Sequence, residues 1–402
     1  MLIDLPGFIA AQVTGRHTSL FHEDFEEHQP ELLRRLQGKG VLVIGGAGTI
    51  GTAFIKALMP FQPARVLVVD HNENGLTELV RDLRSGTGYE MPKHFLTYAI
   101  DFGEPLFEKL FLHEGPFEVI AHFAAHKHVR SEKDPYSIEA MINNNVFKTK
   151  RLLELASKKR PEHFFCVSTD KAADPSNIMG ASKKLMEHVI AAYAGILPVK
   201  SARFANVAFS NGSLLAGFVE RWMKQQPLSA PSDIKRYFVS PEESGQLCLL
   251  CCALGQPGDL FFPVMDAKTD TKSFSDIALY FLHHLGFTPE ICTSESEARS
   301  KTNLIKNRKW PVYFFKSDTS GEKTIETFFT GREHPDFSQF KTIGVIPTKS
   351  EVPLLRLEAF FNELTAVMQT AGAKKSDIVN VLSSILPEFQ HIEKGKHLDE
   401  RM

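Results

Sequence analysis

Tryptophan and cysteine are scarce in this 402-residue chain, at two and five residues. The cysteines are Cys166, Cys248, Cys251, Cys252 and Cys292. An odd count, with three packed into one apolar run (LCLLCCALG), excludes the framework of a secreted disulfide protein and fits a reducing, cytoplasmic setting. Cys248 and Cys251 form a C-x-x-C, but no second pair of ligands stands nearby, so a buried helix face is expected. An excess of one charge is also missing. With 46 basic and 48 acidic residues and a net charge of −2, no electrostatic footprint for nucleic acid is visible. No apolar run approaches the roughly 20 residues of a membrane helix. The opening MLIDLPGFIAAQV carries Asp4 and no basic leader, and is not read as a signal peptide. The 16 histidines form no H-E-x-x-H or comparable set, and the adjacent His283 and His284 point two ways on a helix, so no metal is expected.

What is present is a globular composition, 43% hydrophobic and 23% charged, with 32 Phe read as core filling. Short β-rich runs recur at Val41–Ile44, Arg65–Asp70, Phe95–Ile100, Val119–Phe123, Phe164–Ser168 and Val199–Phe204. Segments of helical composition, such as Thr52–Met59 and Leu76–Leu83, lie between them. This alternation predicts βαβ units in an α/β, Rossmann-type doubly wound parallel sheet. The expected organisation is an arm over residues 1–38, a dinucleotide-binding core over 39–205, a smaller substrate-binding lobe mixed with the last core elements over 206–345, and a helical extension over 346–402. A helix is predicted over Glu242–Leu254, and residues 287–345 are polar and aromatic-dotted with no clear period. Leu354, Leu355, Leu357, Phe360, Phe361 and Leu364 build one apolar helical face, and a last helix over Ser376–Leu386 takes Ser376 as its N-cap.

Gly45-Gly46-Ala47-Gly48-Thr49-Ile50-Gly51 directly follows the first strand and opens a helix. Glycine allows the tight turn and the close approach of backbone to a pyrophosphate, and the helix N-terminus offers N–H groups to the phosphates. The spacing is G-x-x-G-x-x-G, not the G-x-G-x-x-G of ordinary dehydrogenases. Asp70 ends the second strand 19 residues after Gly51, where a carboxylate accepts from ribose hydroxyls and repels a 2′-phosphate, favouring NAD over NADP. Asp101, after the third strand, is placed to reach an adenine amino group; a plain N-cap or surface carboxylate is the alternative.

To these glycines the chain adds HFAAHKHV (His122–Val129), NNNVFKT (Asn143–Thr149), STDKA (Ser168–Ala172) and MGASK (Met179–Lys183). The combination resembles the extended short-chain dehydrogenase/reductases, and within them the polysaccharide-biosynthesis branch of UDP-N-acetylglucosamine 4,6-dehydratases. RFANVAFSNGS (Arg203–Ser213) and RYFVSPEES (Arg236–Ser244) resemble later motifs of that branch, so the likeness covers roughly residues 12–265. It implies NAD as cofactor and a UDP-sugar as substrate. Gly45, Gly48 and Gly51 match the pyrophosphate loop, with Thr49 and Ile50 inside it, and Asp70 the ribose acid. Ala124 and Ala125 match the small residues beside the nicotinamide-side ribose, Asn145 the helix Asn that supports that strand, and Lys183 the lysine that holds the nicotinamide ribose. Thr169, Asp170 and Lys171 match the catalytic trio. Lys127 matches a family lysine that could line the substrate pocket with His128; a solvated basic loop is the alternative. Asn206, Arg236 and Glu243 lie in segments of the nucleotide-sugar lobe. Arg236 is expected at the diphosphate, with a structural salt bridge as the alternative.

One departure matters. Most relatives carry Tyr four residues before the active-site Lys, where this chain has Met179. Within the dehydratases a Met at this place is typical of members that retain configuration at C5. The resemblance therefore implies a retaining 4,6-dehydration for surface-polysaccharide or glycan biosynthesis, with Lys171 as the C5 base and Asp170 as the acid at the C6 oxygen. A C4 or C5 epimerase and a non-catalytic NAD-binding protein are the competing readings. The TGR at Thr14–Arg16 resembles the linker before the catalytic domain of membrane-anchored relatives. No anchor precedes it here, so a soluble homo-oligomer, a dimer or higher, is expected.

Overall fold

The computed structural model describes residues 4–348 and 352–393. Fourteen strands are formed by the described residues: β1 (Gly40–Ile44), β2 (Arg65–Asp70), β3 (His94–Ala99), β4 (Val119–His122), β5 (His163–Val167), β6 (Val199–Ala202), β7 (Asn206–Val207), β8 (Leu228–Pro231), β9 (Lys235–Val239), β10 (Asp259–Pro263), β11 (Thr271–Ser273), β12 (Thr288–Cys292), β13 (Lys309–Phe315) and β14 (Ile343–Pro347). Eight of them make one sheet in the order β14-β10-β6-β5-β4-β1-β2-β3. All neighbours are parallel except β14, which runs antiparallel to β10.

The near-continuous aliphatic runs explain the sheet. Parallel strands covered on both faces must be apolar at every position. Side chains alternate faces, so Val41, Val43, Val66 and Val68 join one buried cluster while Leu42, Ile44, Leu67 and Val69 join the other. The helices Thr49–Leu58 and Pro241–Leu254 cover the first face. The helix Ile178–Tyr193 and the C-terminal helices Leu354–Gln369 and Lys375–Ile385 cover the second. Cys248, Cys251 and Cys252 are free and fully buried in the helix Pro241–Leu254.

The chain winds from β1 outward through β2 to β3, then returns to place β4 on the other side of β1. That reversal opens a crevice at the carboxyl ends of β1 and β4, where doubly wound sheets bind ligands. Two three-stranded sheets, β11-β9-β7 and β12-β13-β8, form the remaining lobe.

The N-terminal arm packs into the fold: its helix His22–Leu36 buries Leu32 and Leu36 completely, and Asp24 accepts from the Lys341 and Thr342 N–H groups. Arg16 grips Glu243 at 2.8 Å through two nitrogens, so Glu243 anchors the arm. The N-cap of the last helix is Lys374, not Ser376, because the Asp377 carboxylate accepts from the Lys374 N–H at 2.8 Å. Among the described residues no helix is long and apolar enough to cross a membrane, and no group of His, Cys, Asp and Glu is placed to hold a metal.

Candidate active site

The crevice is a cleft of about 940 Å³. Gly45, Gly48, Thr49, Ile50 and Gly51 form its floor at the β1 end. Two of these glycines are sterically required. Gly45 has φ of +77°, and a Cβ there would lie 2.4 Å from the Ala124 nitrogen. A Cβ on Gly51 would lie 2.4 Å from the Gly45 carbonyl oxygen. The loop thus presses against both its own helix and the end of β4, and no side chain caps the helix start at Gly48. An uncapped helix N-terminus under a glycine turn is an anion cradle.

Asp70, at the tip of β2, accepts from the Ala47 N–H at 3.0 Å and the Asn72 N–H at 2.9 Å. Each oxygen keeps a lone pair for a ligand hydroxyl. Asp101 also lines the cleft, but Lys148 holds both its oxygens at 2.6–2.7 Å. Burial resists ionisation of Asp101, yet the Lys148 contact and the Gly103 N–H prevail and hold its carboxyl below the usual range. Ala124, Ala125, Lys127 and His128 follow β4 along the opposite wall. Asn145 accepts from the His126 N–H at 2.8 Å and donates to the His126 carbonyl and the Ser182 hydroxyl, tying this wall to the helix Ile178–Tyr193.

A strap crosses the cleft. The Asn211 N–H donates to Thr49 Oγ1 at 2.9 Å, and the Lys127 ammonium donates to the Asn211 carbonyl at 2.8 Å. Asn206, at the start of β7, begins this strap and lines the cleft. Gly212, with φ of +72°, gives it the turn that passes His128.

At the end of β5, Thr169 and Lys171 face the cleft, as do Met179 and Lys183 from the adjoining helix. Asp170 lies behind them, 3% exposed. Both Thr169 Oγ1, at 2.9 Å, and Lys171 Nζ, at 3.0 Å, donate to Asp170 Oδ1. Lys183 Nζ donates to the Val167 carbonyl at 2.9 Å, and burial pulls its pKa down. Burial acts the same way on Lys171, but Asp170 and Glu326 beside it outweigh burial and raise its pKa. Met179 brings no hydroxyl to the cleft.

Arg236 is a correction. It is 3% exposed and does not line the cleft. Its guanidinium donates to the carbonyls of Lys235, Lys323 and Thr324 and lies 3.3 Å from Glu322. Those bonds hold the loop between β13 and β14 against the lobe, the structural role given above as the alternative.

Two features escaped the sequence reading. Glu326 comes from the segment that showed no period and sits 3.8 Å from Lys171 and 3.9 Å from Arg236. Arg203, fully buried, bridges Glu187 and Glu333 at 2.7–3.0 Å, and Ser168 donates to Glu187 at 2.6 Å. A buried carboxylate has no mark in sequence until its cationic partner is known.

Comparison with known proteins places this geometry. The chain is 31% identical over 264 residues to the probable polysaccharide biosynthesis protein EpsC of Bacillus subtilis, covering 65% of this chain and 43% of that protein. It thus spans less than half the length of that relative. It is 24% identical to the inverting UDP-N-acetylglucosamine 4,6-dehydratase of Campylobacter jejuni, over 62% of this chain and 73% of that one. Its fold matches DesIV, a dTDP-glucose 4,6-dehydratase from Streptomyces venezuelae solved with NAD, at a TM-score of 0.55 and 21% identity, covering 73% of this chain and 89% of that one. A family model described as polysaccharide biosynthesis protein matches residues 41–346, and the chain belongs to that family.

Proposed function

We propose that this protein is an NAD-dependent hydro-lyase that converts a UDP-N-acetylhexosamine, UDP-N-acetylglucosamine first among them, to its 4-keto-6-deoxy derivative with C5 configuration retained. The observation that carries the reading is Thr169 and Lys171 facing the same cleft as the glycine loop, both bonded to Asp170 behind them, with Met179 where a reductase would have a hydroxyl. The site fits a dinucleotide: the floor has no room for a Cβ at Gly45 or Gly51, and Asp70 keeps lone pairs for ribose hydroxyls. Gly45, Gly48, Thr49, Ile50 and Gly51 would hold its pyrophosphate, and Asp70 and Lys183 its two riboses. When bound, NAD supplies a hydride acceptor at C4 and a hydride donor at C6.

The chain's own groups handle the protons. Thr169 bonds the C4 hydroxyl and passes its proton to Asp170, which it already contacts at 2.9 Å. Asp170, once protonated, lies behind Thr169 and gives that proton back through the Thr169 hydroxyl to the C6 oxygen, which leaves as water. Lys171 takes the proton from C5, made acidic by the 4-ketone, and its ammonium, whose protons exchange with solvent, returns one to the same face. The protons balance: the C4 hydroxyl proton leaves in water and C5 regains one from the Lys171 ammonium.

Mass spectrometry of UDP-N-acetylglucosamine incubated with the protein in deuterium oxide tests the reading. Loss of water with one deuterium gained supports dehydration through a C5 carbanion, and NMR of the product reads retention or inversion. Deuterium uptake without water loss transfers the reading to an epimerase. An unchanged mass removes this substrate.

A further inference from the structure

Between the turn that carries Lys171 and the helix that carries Met179 and Lys183, residues 174–177 form neither helix nor strand, and Pro175 and Ser176 are buried. A buried carbonyl without a partner costs free energy, so an irregular link of this kind holds one shape only where other parts of the chain supply donors. Residues 390–392 of the C-terminal extension supply them. The Gln390 N–H donates to the Pro175 carbonyl at 3.2 Å, and the Ile392 N–H to the Ser176 carbonyl at 3.1 Å. Leu386 and Phe389, both buried in the second core cluster, deliver this segment to the link.

Glu393 fastens the segment at its far end. One carboxylate oxygen accepts from Ser320 Oγ at 2.9 Å, and the other lies 2.6 Å from the Lys375 ammonium. Ser320 belongs to the loop between β13 and β14, which is itself fitted to the link. The Gly321 carbonyl accepts from Ser176 Oγ at 2.8 Å and Asn177 Nδ2 at 3.0 Å. Gly321 has φ of +64°, and a Cβ there would lie 2.6 Å from the Ser176 carbonyl oxygen and from Asn177 Cβ. Lys323 of the same loop pairs with Asp174. The link leads directly into the site at both ends. Upstream, the Ala172 and Ala173 N–H groups donate to the Thr169 and Asp170 carbonyls at 3.1 Å. Downstream, Asn177 caps the helix, and Glu132 accepts from the Met179 N–H at 2.8 Å.

We propose, resting on the dehydratase reading, that residues 390–393 brace the active site, with Glu393 as the positioning residue. By tying the brace to Ser320 and Lys375, Glu393 keeps residues 174–177 in place and so holds Lys171 in register with Met179 and Lys183. Glu393 does not line the cleft, so its effect falls on the alignment of the reacting groups and not on binding.

The test compares Glu393→Ala with the conservative Glu393→Gln, which keeps an acceptor for Ser320. The Glu393 side chain is 42% exposed, so neither variant opens the core. Two readouts are taken on the intact chain. The first needs no substrate: amide exchange is followed by NMR at Gln390 and Ile392 in the brace and at Ala172 and Ala173 beside the catalytic residues. Glu393→Ala should speed exchange about tenfold at all four, and Glu393→Gln by less. Unmoved exchange at Ala172 and Ala173 overturns the proposal whatever the enzyme's substrate. The second is the kinetics of water loss from UDP-N-acetylglucosamine, with NAD affinity and melting temperature measured alongside. Glu393→Ala should lower kcat about tenfold with KM, NAD affinity and melting temperature unchanged, and Glu393→Gln should recover most of that loss. An unchanged kcat overturns the proposal. So does a joint loss of kcat, substrate affinity, NAD affinity and melting temperature, which leaves residues 390–393 a packing element. If wild type releases no water but the four amides loosen, the dehydratase reading fails, and with it the catalytic consequence, while the brace on residues 174–177 stands.

Discussion

Lys127 reaches across the cleft and donates to the main-chain carbonyl of Asn211 at 2.8 Å, closing a strap that the Asn211 N–H also fastens to Thr49. The strap passes over the start of the helix that would receive the pyrophosphate. A cofactor that is reduced and reoxidised within one turnover, as in the proposed reaction, would gain from such a closure, since it need never leave.

Loosening the strap should therefore speed cofactor loss. Lys127→Met and Thr49→Val each remove one latch bond, worth about 1 kcal/mol at this partly open site. The expected outcome is a three- to tenfold rise in the NAD dissociation rate, roughly as that energy implies, with little change in thermal stability. Stopped-flow displacement of bound NADH, followed by fluorescence, checks both.

The glycines should separate folding from binding. Gly45→Ala places a Cβ 2.4 Å from the Ala124 nitrogen at φ of +77°, so it should cost about 2 kcal/mol or more of stability. Gly48→Ala meets only the Gly45 carbonyl oxygen at 3.4 Å and should fold normally. Urea midpoints and NAD titrations distinguish them: the first variant should lose both, the second only affinity.

Lys171→Ala should abolish water loss, by about 100- to 10,000-fold, while NAD still binds, because Lys171 does not touch the glycine floor. Thr169→Val should slow the first oxidation, read as NADH absorbance on mixing with sugar nucleotide. Surviving turnover in the first variant or an unchanged rate in the second removes those roles.

Arg203 governs acid stability. Beside it, against burial, the Glu187 carboxyl is pulled from its ordinary value of 4.5 to about 2. Its folded pKa lies below the unfolded one, so its contribution is complete above pH ~4.5 and disappears as pH falls toward about 2. Glu187→Gln should flatten the loss of stability across that window in urea unfolding. Arg203→Met leaves two carboxylates with no guanidinium and should cost about 3–5 kcal/mol near neutrality.

Much of the molecule is legible in its sequence because the signals are local. The strands β1, β2, β4 and β5 are short, largely apolar runs, and their bounds differ from expectation by a residue at most. The glycine loop announces itself because only glycine fits where backbone meets backbone, and Asp70 because a strand end has a defined place in a parallel sheet. The pairing of Asp170 with Lys171 is written in adjacent letters.

What tertiary structure alone decided are the long-range charges. Arg236 could have faced a diphosphate; the carbonyls of Lys323 and Thr324, nearly ninety residues on, claimed it instead. Glu326 and Glu333 are ordinary letters in an aperiodic loop until folding sets them against Lys171 and Arg203. Arg16 meets Glu243 from the far end of the chain. The reason is physical: periodicity reports which side chains leave water, whereas a buried charge persists only where a partner of opposite sign awaits it, and that partner's position is a property of the fold.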